Sequence, residues 1–136
     1  MPDRAALRTG PGRVLIAVYA IFAMAATARS AVQLTTRFDD APLAYLLSAT
    51  AAVVYVVATV TLAAGGPVAR QVAVVSCTVE FVGVLAVGTL SVVAPQDFPD
   101  ATVWSAFGAG YGFVPLVLPP LGLLWLRHTA RSASPA

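Results

Sequence analysis

Lysine is missing altogether from this chain, cysteine and histidine occur once each, and only 10% of the residues are charged. Each shortage removes a class of chemistry or of fold. With Cys77 alone, an intramolecular disulfide, a C-x-x-C redox centre and a cysteine metal cage are excluded. With His128 alone, placed after the last apolar run, no haem or zinc site built on several His or Cys ligands is expected within one subunit. The low charge excludes a soluble domain, in which about a quarter of the residues would be charged. A formal charge of +2, spread along the chain without clustered aromatics, leaves no nucleic-acid footprint. No cofactor, no metal and no nucleic-acid partner is expected.

What the chain does have is apolar length: 59% of its 136 residues are hydrophobic. Four runs stand out, at about 14–34, 42–64, 72–94 and 103–126, each reaching about 31 to 36 Å as a helix and so able to cross a core of roughly 30 Å. The expected fold is all-α, a single transmembrane domain over 1–136 built as a four-span helical bundle. Short connections make consecutive helices antiparallel neighbours. No room remains for a separate soluble catalytic domain. All eight basic residues are Arg, in a background of Ala, Val, Gly and Pro. That usage suggests a GC-rich bacterial, actinobacterial genome and hence a multi-pass protein of the plasma membrane.

Arg4, Arg8 and Arg13 precede the first run, Arg70 lies between the second and third, and Arg127 and Arg131 follow the fourth. By the positive-inside rule both termini are cytoplasmic. The other side carries Arg29 and Arg37 with Asp39, Asp40, Asp97 and Asp100. A competing reading at the N-terminus is a cleaved signal peptide ending at Ala26-Thr27-Ala28, which would leave three spans. The small-residue pattern continues to Leu34, which favours a full first span. A faint 60-residue repeat pairs Phe38 to Leu43 with Phe98 to Val103. Convergence of two outer turns on Asp caps and early Pro explains it more simply than duplication.

Glu80 is the one acid inside an apolar run, and intramembrane carboxyls are costly and face bundle interiors. Steps of 100° along each run mark a small and polar face. These faces are Tyr19, Ala23, Ala26, Ser30, Gln33 in the first and Tyr45, Ser48, Ala52, Tyr55, Thr59 in the second. The third gives Ser76, Glu80, Gly83, Val87, Ser91, and the fourth Ser105, Gly108, Gly112, Pro115, Pro119, Gly122. Close approach through small residues drives helix association in lipid, so these faces, with Gly83 and the Gly108 to Gly112 G-x-x-x-G, are expected to pack inside. By rise per residue Glu80, Tyr55 and Pro115 share a layer about 11 to 13 Å from the inner edge. Pro115 would kink the fourth helix and free the Tyr111 carbonyl, to which Glu80 or the Tyr55 hydroxyl could donate. Two roles follow for Glu80: a neutral structural acid tying three helices, which desolvation favours, or a proton- or cation-binding carboxyl. Arg29, about 24 Å from the inner edge, is expected to engage Asp39, Asp40 or outer-leaflet phosphate, with a water-linked path to Glu80 as the alternative.

Gly108-Ala109-Gly110-Tyr111-Gly112 imitates a potassium-channel filter, but too few residues follow it for a complete span, so a kinked, tightly packed helix is expected instead. Trp104 and Trp125 fit the two interfacial aromatic belts. Ser132 to Ala136 reads as a disordered tail.

Phe38-Asp39-Asp40-Ala41-Pro42-Leu43-Ala44-Tyr45 and the stretch from Phe98 to Leu116 resemble the small four-helix integral membrane proteins of actinobacteria. The resemblance implies fold and compartment and carries over no functional residue. Size and span count are also similar to small multidrug-resistance transporters. Those place their essential Glu in the first span and have weak charge bias, whereas here Glu80 is in the third and the Arg bias is clear. The function expected from the sequence is non-enzymatic: an accessory or scaffold subunit of a larger membrane complex. The alternative is a small oligomeric transporter or lipid-handling protein using Glu80, with Tyr55, Tyr111 and Arg29 as further candidates. Partners are accordingly the lipid bilayer and either a larger complex or further copies of the chain.

Overall fold

The computed structural model describes residues 10–98 and 101–133, and within them every regular element is helical. Four α-helices carry the architecture: α1 (Pro11–Thr36), α2 (Pro42–Ala64), α3 (Pro67–Val93) and α4 (Val114–Ala133). A proline opens each of the first three, at the position where its missing N–H and fixed φ cost nothing. Gly65 stops α2 with φ 68°, and Gly66 follows at φ 91°, a pair of left-handed residues that turns the chain straight into Pro67. Threonines within the helices donate to the carbonyl one turn back, as Thr59 to Tyr55 and Thr78 to Val74. Their hydroxyls therefore need no partner outside the helix.

α1, α2 and α3 are each long and apolar enough to cross a membrane. α1 packs along α2, α2 along α3, and α4 with the segment before it on α3, while α1 and α4 touch over a short stretch. α1 runs three residues further at its start than hydropathy suggested, and α3 five, because Arg13 and Arg70 sit inside their first turns. Arg70 has a specific role there. Its Nη1 donates to the Leu126 carbonyl at 2.6 Å and to Thr129 Oγ1 at 2.9 Å, fastening the start of α3 to the end of α4.

The fourth apolar run departs from expectation. Instead of one kinked helix over 103–126, Ser105–Tyr111 forms a run of tight turns bent 97° from α4. Ala106, Phe107 and Gly108 adopt left-handed φ values of 50°, 60° and 83°, and Gly112 and Phe113 follow at 63° and 61°. Left-handed backbone disfavours an L-residue by roughly 1–2 kcal/mol, and three of these five are not glycine. Packing on α3 offsets the strain. Trp104 lies on Gly83, Phe107 lies on Gly88, and the Ala106 N–H donates to Ser91 Oγ at 2.8 Å.

Several expectations change with this geometry. Gly108 and Gly112 lie in turns, so no helical G-x-x-x-G face forms; Gly108 receives the Pro115 ring, and open space surrounds Gly112. Pro115 occupies the first turn of α4 and interrupts no helix. Trp104 is 3% exposed and buried, not in an outer belt. α2 is capped by Ala41 without a side-chain bond, so the Asp caps invoked for the repeat are not formed there. Ala26-Thr27-Ala28 lies within the unbroken α1. α4 continues through Ala133, and Arg4, Arg8, Asp100 and residues 134–136 lie outside the described residues.

Candidate functional site

The buried faces of the helices converge on α3 at Glu80, whose side chain is wholly excluded from solvent. α1 supplies its hydrogen-bond partner. The Tyr19 hydroxyl donates to Glu80 Oε2 at 2.7 Å and lies 3.3 Å from Cys77 Sγ, one turn earlier on α3. Gly122 of α4 closes the other side of this group, since a Cβ there would stand 2.9 Å from Cys77 Sγ and 3.3 Å from the Tyr19 hydroxyl. α1, α3 and α4 thus meet around one tyrosine, one thiol and one carboxyl.

α2 and the bent segment complete the surroundings. Tyr55 of α2 lies within electrostatic range of Glu80, and its hydroxyl lies beside the Trp104 indole N–H. Trp104 covers Gly83, which is three residues along α3 from Glu80. Three buried polar atoms here lack a hydrogen-bond partner among the described residues: Glu80 Oε1, the Tyr55 hydroxyl and Trp104 Nε1. The Tyr55 hydroxyl and Trp104 Nε1 are neighbours in the apolar interior, and Glu80 Oε1 is buried on the adjoining stretch of α3. Leaving such groups unsatisfied costs about 1–3 kcal/mol each.

A ladder of rings leads away from this centre. Tyr19 and Tyr55 lie 6.2 Å apart, Phe22 stands 5.9 Å from Tyr55, and Tyr111 stands 5.7 Å from Phe22. At its end Arg29 Nη1 donates to the Tyr111 hydroxyl, with the guanidinium carbon 5.9 Å from the ring centroid. Arg29 therefore engages Tyr111 and not Asp39 or Asp40; the acid Asp40 instead lies 3.8 Å from Arg37 on the exposed turn. The Tyr111 carbonyl is not the partner of Glu80, because Pro115 frees no carbonyl of a continuous helix. Tyr19, Cys77 and Trp104 form the immediate setting of Glu80 together with Tyr55, and depth estimates from Cα rise alone do not reveal the first three. A tyrosine's reach could have signalled Tyr19. Nothing local signals Trp104.

No group of three or more metal-ligating side chains occurs among the described residues. No protein family model, no curated protein and no solved structure matches the chain.

Proposed function

We propose that this chain is a multi-pass protein of a bacterial plasma membrane that binds and passes a proton at Glu80. α1, α2 and α3 make three crossings, and the bent segment with α4 makes the fourth. Both termini are cytoplasmic, as the arginine distribution argues. The observation that carries the binding role is Glu80 itself, wholly buried, with Oε1 unpartnered among the described residues beside an Oε2 already held by Tyr19. Ionisable groups inside spans are expensive and mark ion or proton sites, and here the neighbours leave one carboxyl oxygen for a ligand.

Glu80→Gln tests this, because it keeps shape and hydrogen bonding while removing the titratable proton. In proteoliposomes with an internal pH dye, the wild type is expected to dissipate an imposed pH gradient and the variant to lose that flux at unchanged folding. Equal flux from both proteins defeats the binding role and leaves a structural acid.

A second reading has its own observation. Between α1 and α4 lies an open, almost wholly apolar groove of 630 Å³, lined by Val14, Val18, Val117, Leu121 and Trp125 among others. Such a groove suits a non-enzymatic accessory subunit seated against a helix of a larger membrane complex or of another copy. Stoichiometric co-purification of a larger complex in mild detergent supports that reading, and a discrete monomer counts against it.

A further inference from the structure

A cleft of 460 Å³ opens at the far end of α1, lined by Ala28, Arg29, Val32, Gln33 and Arg37. Arg29 and Gln33 lie one turn apart on α1, and Arg37 follows as the first residue beyond its end. No carboxylate lines the cleft, although Asp40 lies 3.8 Å from the Arg37 Nε. The Arg29 guanidinium is oriented by its bond to the Tyr111 hydroxyl and by the ring beside it. That bond uses one of the five donors an arginine carries. Gln33 is buried, and its Oε1 has no donor among the described residues. The cleft thus combines an oriented Arg29 with N–H groups beyond the one given to Tyr111, a second positive charge at Arg37 that also faces Asp40, and a buried acceptor on Gln33.

We propose that Arg29, Gln33 and Arg37 form a binding site for a phosphate anion that carries a hydroxyl. Arginine forks match phosphate oxygens in geometry and charge, and the hydroxyl satisfies Gln33 Oε1. In the membrane arrangement proposed above, the cleft lies at the outer headgroup level, where the same chemistry is offered by a lipid such as phosphatidylglycerol or by a soluble phosphate. The site is independent of Glu80 and would stand if no proton moves there.

Native mass spectrometry of the full chain in mild detergent tests it, with phosphatidylglycerol and phosphatidylcholine added separately. A basic residue at an anionic surface contributes roughly fivefold, so Arg29→Gln with Arg37→Gln is expected to lower phosphatidylglycerol retention by about 30-fold. Phosphatidylcholine retention should not move. Arg37→Gln alone, at a side chain that is 57% exposed, guards against misfolding and should give about fivefold. Millimolar inorganic phosphate then separates the sources: displacement of the lipid assigns the site to soluble anions, and retention against it assigns the site to lipid. Equal retention of the two lipids by the wild type, or phosphatidylglycerol retention unchanged in both variants, overturns the proposal.

Discussion

Gly83→Ala should reverse the sign of its effect according to what stands at position 104. An alanine Cβ at position 83 would lie 2.7 Å from two atoms of the Trp104 ring and 3.0 Å from a third. The indole is buried, with Tyr55 beside its N–H, so moving it by the several tenths of an ångström required disturbs a packed layer. Overpacking of this kind destabilises by up to about 3 kcal/mol. Replacing an interior helix glycine by alanine recovers about 1 kcal/mol, giving a net loss near 2 kcal/mol. In a Trp104→Ala background the clash is gone, and the same substitution should stabilise by about 1 kcal/mol. The double-mutant coupling is then roughly 3 kcal/mol. Reversible unfolding in mixed micelles, followed by circular dichroism, measures all four corners of the cycle. A neutral or stabilising Gly83→Ala in the wild-type background would refute the placement of Trp104 on α3 and return it to the membrane surface.

Other substitutions probe the remaining contacts. Tyr19→Phe deprives Glu80 of its one observed donor and should destabilise by about 1–3 kcal/mol in the same unfolding assay, whereas a change within error would sever α1 from the site. Ser91→Ala leaves the Ala106 N–H unpaired on the left-handed segment, with an expected loss of about 1–3 kcal/mol. Proteolysis should then cut 101–113 faster than in the wild type; equal rates remove Ser91 as the anchor. Cys77 is buried and is the chain's single thiol, so membrane-impermeant thiol reagents should not label the wild type. Tyr19→Ala, which removes the side chain beside the thiol, should open it to reagent, and an unlabelled variant would show that Tyr19 does not seal it.

The sequence exposes the interior of the first three helices because of a contrast in residue type. Tyr19, Ala23, Ala26, Ser30 and Gln33 are all buried in α1, Tyr45, Ser48, Ala52 and Tyr55 in α2, and Ser76, Glu80 and Val87 in α3, while Thr59, Gly83 and Ser91 of the expected faces are only half-buried. In lipid only close packing separates a helix's inner face from its outer one, so small and polar residues report that face directly. Helix starts were less legible at α1 and α3, where a charged first turn hides the proline that opens the helix. The fourth run misleads for another reason. Ala106 and Phe107 have no local preference for left-handed backbone, and Gly108 to Gly112 match a helical packing motif, so only the cavities over Gly83 and Gly88 select the bent course. The candidate site suffers from the same cause. Glu80 is conspicuous as a lone charge, but its partner depends on side-chain reach from α1, and its cover depends on the unforeseen turn.

The bend before α4 has a consequence for the lipid around it. From Val114 to the last apolar residue before Arg127, α4 offers roughly 20 Å of hydrocarbon-compatible height, against the ~30 Å of an ordinary bilayer core. Where α1 to α3 face lipid, a chain of normal thickness is matched; beside α4 it is not. In the proposed setting the protein is therefore a wedge in hydrophobic thickness, thin on one flank, and it draws the bilayer inward there at a cost of fractions of a kcal/mol per ångström. Short-chain lipids, or a neighbouring protein with an equally short flank, relieve that mismatch, so membrane thickness itself becomes a variable that selects what stands beside this chain.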